Sequence, residues 1–121
     1  MRGIVLFAHG AREPEWARPF EEIRERVRAS RPGCPIELAF LEIMAPSLED
    51  AVASLIEQGA LAITVFPVFM AQGGHLRHDL PLLLEKIRVR HPRVPIALET
   101  AIGDVAAIQA AIASWVVERA G

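Results

Sequence analysis

The sequence has 121 residues, of which 52% are hydrophobic, 23% charged and 6% aromatic, and its formal net charge is −2. This length predicts one domain, 1–121, and the hydrophobic content excludes an intrinsically disordered chain. A charge this close to neutral predicts neither a nucleic-acid nor a membrane partner. The single cysteine, Cys34, excludes an internal disulfide and a cysteine-only metal site, and it favours a cytoplasmic location.

Apolar, partly β-branched segments recur along the chain about thirty residues apart. They predict four β-strands, at residues 4–8, 36–41, 62–66 and 94–98. The strands are apolar throughout, which is typical of a parallel sheet that is covered on both faces. Right-handed crossovers then predict a doubly wound α/β fold with the strand order 2-1-3-4.

Helical spacing of apolar residues follows each predicted strand. The first helix ends at residues 31–33, and the second begins after the N-cap Ser47 and ends at Gly59. The third is predicted to begin near Asp79 and Pro81 and to end at residues 91–92. Asp104 is predicted to open the last helix, whose apolar residues share one side: Ile108, Ala111, Ile112, Trp115 and Val116.

Histidines follow the first and third strands, where ligands bind in an open α/β sheet. His9 and Gly10 stand after the first strand, and Gly73, Gly74 and His75 after the third. If the order 2-1-3-4 holds, His9 and His75 face each other across one crevice. Two neutral imidazoles suit a borderline divalent metal. A site with only two protein ligands holds its metal weakly, which suits a site that releases the metal. The glycines alternatively serve turns with positive φ.

Other polar residues belong to the same predicted loops. Glu42 ends the second strand and is either a third ligand or proton acceptor, or a solvated carboxylate. Arg12, Arg77 and His78 make the crevice locally basic, which predicts an anionic ligand, although these arginines could be ordinary loop residues.

Apolar residues around these loops have two interpretations. Val68 and Phe69 are interpreted as core residues, whereas Trp16 and Met70 are candidates to line a slot for a flat hydrophobic ligand. Trp115 and Met70 are candidates for covering an open wall of the site in a symmetric dimer, although core packing would equally explain Trp115.

Taken together, these motifs resemble those of the small CbiX-type sirohydrochlorin chelatases. The resemblance rests on a strand that ends in His-Gly-x-Arg, on residues 40–48, and on the Gly-Gly-His-x-x-x-Asp-Leu-Pro element at 73–81. It implies ATP-independent insertion of a divalent metal into sirohydrochlorin or a related carboxylated tetrapyrrole. Cobalt is the first expectation for that metal, with iron or nickel as alternatives, and no organic cofactor is expected.

The resemblance also implies roles for individual residues and a homodimer. His9 and His75 would bind the metal and catalyse insertion together with Glu42, while the substrate-binding residues would be Gly10, Arg12, Gly73, Gly74, Arg77 and His78. Ala11 and His78 depart from the family's usual serine and acidic residue. A carrier of tetrapyrrole or metal with the same fold therefore remains an alternative.

A generic flavodoxin-like domain is a third interpretation, but it leaves the paired histidines unexplained. The phosphate-cradling, dinucleotide-binding and serine-hydrolase motifs are missing from the sequence.

Overall fold

A computed structural model describes residues 1–121. The chain forms four strands, four α-helices and two short 3₁₀ helices. In chain order they are β1 (Arg2–Ala8), a 3₁₀ helix (Pro14–Ala17), α1 (Arg18–Ser30), β2 (Ile36–Phe40), α2 (Leu48–Glu57), β3 (Ala62–Pro67), α3 (Gly74–Arg90), β4 (Ile96–Leu98), a second 3₁₀ helix (Ile102–Asp104) and α4 (Ala106–Ala120).

The four strands form one parallel sheet in the order β2-β1-β3-β4, which confirms the predicted order. Val5 of β1 lies opposite Glu37 of β2 on one side and Val65 of β3 on the other. The carboxyl ends of β1 and β3 are therefore neighbours, and the loops that follow these strands leave the same edge of the sheet.

Helices pack on both faces of the sheet, so the predicted doubly wound arrangement is confirmed. On the α1 face, named for the helix that packs there, the buried strand residues are Leu6, Ala8, Ile36, Leu38 and Phe40. On the α2/α3 face they are Val5, Phe7, Ala39, Ile63, Val65 and Ile96. The buried residues alternate between the two faces because successive side chains of a strand point to opposite sides of the sheet.

The predicted limits of α2 are confirmed within two residues. The Ser47 hydroxyl accepts a hydrogen bond from the backbone N–H of Asp50 at 3.1 Å, which satisfies one free donor of the first turn. Gly59 follows the helix with φ +99°, a conformation that suits glycine at a helix end.

Helix α3 begins at Gly74, so the prediction of a start near Asp79 is wrong. The buried residues Leu76, Leu80 and Leu84 recur every four positions, and Leu76 adds a turn of core contact that outweighs the flexibility of the glycines. Pro81 lies inside the helix and has no N–H to donate to the carbonyl of Arg77. His75, Arg77 and His78 are therefore helical residues rather than loop residues.

The last two elements also differ from the prediction. Strand β4 begins at Ile96 rather than at residue 94, because Pro95 cannot donate to the ladder, although its carbonyl accepts from Ile63 N–H. Asp104 ends a 3₁₀ helix, and α4 starts at Ala106. No residue of α4 is buried, and Ile108 is the only half-buried residue on the side that its apolar residues were predicted to share.

None of the helices combines the length and the apolar character needed to span a membrane.

Candidate functional site

His9 and Glu42 lie together at the carboxyl edge of the sheet. The backbone N–H of Leu41 donates to the carbonyl of Ala8 at 2.9 Å, and that of Glu42 donates to the carbonyl of His9 at 3.0 Å. These bonds continue the β1–β2 pairing beyond the strands. They hold the His9 backbone beside that of Glu42, and both side chains are exposed.

The turn after His9 requires a glycine at position 10. Gly10 has φ +98°, and a Cβ built there would overlap the carbonyl oxygen of Glu42. The backbones of the two loops therefore approach more closely than any side chain would permit. The alternative role predicted for this glycine, a turn with positive φ, is confirmed.

The His9 imidazole rests on the ring of Phe69. The two ring centroids are 4.3 Å apart and the planes are inclined by 40°. Phe69 is 1% exposed and also contacts Phe7 edge to face at 5.6 Å. One face of the imidazole is thus supported by the core, while the ring as a whole remains exposed. The core position of Phe69 was expected from the sequence, whereas its contact with His9 was not.

Phe69 is in turn fixed by the second 3₁₀ helix. The N–H of Gly103 donates to the carbonyl of Phe69 at 3.0 Å. A Cβ on Gly103 would overlap the carbonyl of Met70, so this glycine also permits a close approach of two backbones. The segment before α4 therefore packs beside the support of His9.

His75 lies in the first turn of α3, at the same edge of the sheet as His9. Gly73 is the N-cap with an extended backbone, and buried Leu76 anchors the turn to the core while His75 is exposed. Neither Gly73 nor Gly74 has a positive φ, so the turn explanation is wrong for these two glycines. The N–H groups of a first helical turn point outward and carry partial positive charge.

The three predicted anion-binding side chains are accessible. Arg12 follows the His9 turn, and Arg77 and His78 belong to the first turns of α3; all three are exposed. Neither arginine takes part in the six ion pairs of the structure. Their charges are therefore not neutralised within the chain.

The predicted crevice is not present in the isolated chain. The structure has three cavities, and neither His9 nor His75 lines any of them. No three histidine, cysteine, aspartate or glutamate side chains are grouped to hold a metal, so Glu42 does not complete a three-ligand cluster with the histidines. The physical reason is that the loops occupy one edge of one sheet, and no other part of the chain faces that edge.

Of the two residues suggested to line a ligand slot, Trp16 has a packing role. Its ring contacts Phe20 at 4.8 Å and Phe40 at 6.5 Å on the α1 face. Met70 is 59% exposed at the carboxyl end of β3. Only Met70 remains available to contact a ligand at the edge.

The fold and the site define a doubly wound α/β protein with two exposed histidines at the carboxyl edge of its parallel sheet. The model of the CbiX family matches residues 3–119. The chain belongs to the CbiX family, as its motifs had indicated.

Two relatives illustrate the range of this family. A sirohydrochlorin ferrochelatase of Priestia megaterium is 29% identical over 119 residues, which are 98% of this chain and 43% of that protein. A sirohydrochlorin cobaltochelatase of Saccharolobus solfataricus is 33% identical over 109 residues, which are 85% of this chain and 84% of that protein. The chain thus spans less than half the length of the first relative and most of the second.

Two solved structures share the fold. A CbiX protein of cobalamin (vitamin B12) biosynthesis from Marinobacter aquaeolei VT8 superposes with a TM-score of 0.86 at 34% identity, covering 98% of this chain and 97% of that chain. SirB from Bacillus subtilis with Fe³⁺ superposes with a TM-score of 0.72 at 27% identity, covering 84% of this chain and 40% of that chain. The same sheet therefore occurs both in a chain of this length and in one about twice as long.

Proposed function

We propose that this chain inserts a divalent metal into sirohydrochlorin or a related carboxylated tetrapyrrole, without ATP. Co²⁺ is the first candidate, and Fe²⁺ or Ni²⁺ are alternatives. The observation that carries the proposal is the placement of His9 and His75, which stand exposed at adjoining positions of one sheet edge in a member of the CbiX family. The relatives named as sirohydrochlorin ferrochelatase and cobaltochelatase support the substrate.

The two imidazoles would hold the metal ion as a substrate in transit. Imidazole nitrogen is a suitable ligand for cobalt, iron and nickel. With two protein ligands, most of the coordination sphere stays open to water and then to the pyrrole nitrogens, whereas a structural site normally has four protein ligands. A weakly held ion can be transferred to the macrocycle.

Anionic groups of the tetrapyrrole would be held by the positive groups at this edge. Arg12 and Arg77 are exposed and outside any ion pair, so their guanidinium groups are available to peripheral carboxylates. The N-terminal turn of α3, with Gly73 and Gly74, offers backbone N–H groups to the same anions. Gly10 allows the backbones of the His9 turn and the Glu42 loop to approach each other closely. The side chain of His78 adds a further hydrogen-bonding group for the same anions.

Insertion releases two protons from the ring, because each of two pyrrole N–H groups is replaced by a metal–nitrogen bond. The proton acceptors would be a neutral imidazole of His9 or His75 and the carboxylate of Glu42, whose backbone lies beside that of His9. Water and buffer take up the protons from these exposed groups between turnovers.

The assembly in this proposal is a homodimer. The edge that carries His9 and His75 is open, and a second copy would supply the facing wall that a macrocycle site needs. Light scattering at micromolar concentration should give the mass of two chains, and a monomer would contradict this part of the proposal. The cytoplasmic location stays a prediction.

Metal insertion is tested directly by the absorbance of sirohydrochlorin with Co²⁺ and catalytic amounts of the protein. A chelatase converts many equivalents of tetrapyrrole per chain. A carrier of tetrapyrrole or metal would instead change the spectrum in proportion to protein and then stop, and that result would overturn the enzymatic function. Parallel assays with Fe²⁺ and Ni²⁺ identify the preferred metal.

Acidification is expected to suppress insertion. Metal binding needs the neutral imidazole, since the protonated ring has no lone pair to donate. We expect Co²⁺ binding to weaken and the insertion rate to fall as the pH is lowered. Circular dichroism at each pH verifies that the chain stays folded. An insertion rate independent of pH would argue against histidine ligands.

Removing the aromatic support of His9 is expected to slow insertion. Phe69→Leu keeps a buried apolar side chain but loses the ring under the imidazole. Phe7→Leu is the matched control, because Phe7 is buried beside Phe69. Both variants should lose about 1–3 kcal/mol of stability. Only Phe69→Leu should slow insertion, by about tenfold, through misplacement of His9. Equal rates in the two variants would show that the contact does not position His9.

A further inference from the structure

Helix α4 carries apolar residues on all sides, and yet none of its residues is buried against its own chain. Glu118 and Arg119 are the only charged residues among its 15, and none of the 15 is buried. Trp115 is 60% exposed and Val117 is 73% exposed, and at about 100° per residue they lie on opposite sides of the helix. A helix that is hydrophobic all round is typical of one enclosed by protein. This helix therefore lacks a packing partner.

On one face of the sheet, two of the four strands have no helix packed over them. On the α2/α3 face, the two helices bury Ile63 and Ile96 of β3 and β4. On the α1 face, α1 packs over β1 and β2. No helix covers β3 and β4 on this face, where Phe66 is half-buried and Ala97 is exposed. This uncovered strip is where a helix after β4 would lie in a doubly wound fold.

The start of α4 is fixed at the carboxyl edge of the sheet. Gly103, in the 3₁₀ helix that precedes it, donates its N–H to the carbonyl of Phe69, and the side chain of Gln109 donates to the carbonyl of Gly103 at 2.7 Å. Beyond this anchored start, none of the helix is buried against its own uncovered strip.

We propose that α4 of each chain docks on the uncovered strip of a second copy of the same chain, over β3 and β4, in a reciprocal exchange. This inference rests on the homodimer in the proposed function and adds the surface that forms it. A helix of this length is about 22 Å long and about 11 Å wide. Burying half of its lateral surface against a matching sheet face, twice by symmetry, removes about 1,500 Å² from water, which is the size of a standard stable interface.

The exchange would also complete the site. Because α4 begins beside Phe69, which supports His9, the exchanged helices would tie the carboxyl edges of the two chains to one another. Each edge that carries His9 and His75 would then face its counterpart, which supplies the wall that the isolated chain lacks.

Disulfide cross-linking tests the docking surface. Two chains with different affinity tags are co-expressed in a Cys34→Ser background, since serine also can donate to the carbonyl of Arg2 as the thiol does at 3.1 Å. One chain carries Ala97→Cys, and the other carries a cysteine at 110, 111, 112 or 113 in turn, which together sample every side of α4. We expect at least one of the four pairs to give a covalent dimer that contains both tags. The control is Leu82→Cys in place of Ala97→Cys, because Leu82 is 54% exposed on α3 of the opposite face and should form no cross-link.

Two results would overturn the docking. One is the absence of a mixed covalent dimer from all four pairs. The other is a cross-linked monomer from a chain that carries both cysteines, since α4 would then cover its own sheet. Insertion of Co²⁺ is measured separately in the Cys34→Ser protein. A protein that is active but does not cross-link would contradict the docking alone, and a cross-linked protein without activity would contradict the proposed function alone.

Discussion

Replacing His75 by alanine is expected to abolish insertion of Co²⁺ into sirohydrochlorin while the chain stays folded. The side chain is exposed in the first turn of α3 and contributes nothing to the core, so the free energy of unfolding should change by no more than about 0.5 kcal/mol. Loss of this proposed metal ligand and proton acceptor should lower the insertion rate by more than about 100-fold. His9→Ala should have the same effect on the rate.

His91→Ala is the matched control for the loss of one imidazole. His91 lies at the C-cap of α3, at the other end of the helix from His75. Its replacement should leave the insertion rate unchanged and cost at most about 1 kcal/mol of stability through the helix dipole. A wild-type rate in His75→Ala, or a comparable loss in His91→Ala, would remove His75 from the proposed site.

Replacing Gly10 by alanine is expected to cause a large loss of stability from a single methyl group. Gly10 has φ +98°, and its new Cβ would overlap the backbone carbonyl of Glu42. The two loops would therefore have to separate. The left-handed conformation costs about 1–2 kcal/mol for a residue other than glycine, and forced overlap costs about 1–3 kcal/mol more. We expect a total of about 2–5 kcal/mol in urea unfolding and a loss of insertion, because His9 moves with the turn.

Gly33→Ala separates these two contributions. Gly33 also has a positive φ, +84°, but a Cβ there would meet nothing within 4 Å. This variant should lose only the conformational part, about 1–2 kcal/mol, and should keep its insertion rate. If Gly10→Ala were no less stable than Gly33→Ala, the close approach of the His9 and Glu42 loops would not exist in solution.

The architecture was predictable because it depends on repeated local patterns. Apolar β-branched segments such as residues 62–66 indicate buried parallel strands wherever they occur. The handedness of crossovers then leaves few topologies, and the observed order β2-β1-β3-β4 is one of them. The order of the strands brings His9 and His75 to one edge.

The start of α3 was mispredicted because two local signals compete there. Gly73, Gly74 and Pro81 indicate a loop with a late helix start, whereas Leu76, Leu80 and Leu84 have helical spacing. Burial of Leu76 against the core decides the outcome. The spacing from Leu76 was present in the sequence and would have identified the earlier start.

Two features depend on tertiary structure and have no local signal. The contact of His9 with Phe69 joins residues sixty positions apart, and only the pairing of β1 with β3 brings them together. The exposure of α4 is the second feature. Its apolar residues were predicted to share one side of the helix, with Trp115 either in a dimer contact or in the core, and none of the helix is buried in this chain. A pattern of hydrophobicity does not show whether the surface that would cover it lies in the same chain or in another.

In the proposed site, His9 and His75 bind one metal ion together, and the ligands of bound Co²⁺ test this most directly. X-ray absorption of the protein loaded with one equivalent of Co²⁺ reports the number of imidazole nitrogens around the ion. We expect two in the wild type, one in each of His9→Ala and His75→Ala, and two in His91→Ala. A wild-type spectrum with no imidazole ligand, or one that neither His9→Ala nor His75→Ala changes, would contradict the shared site.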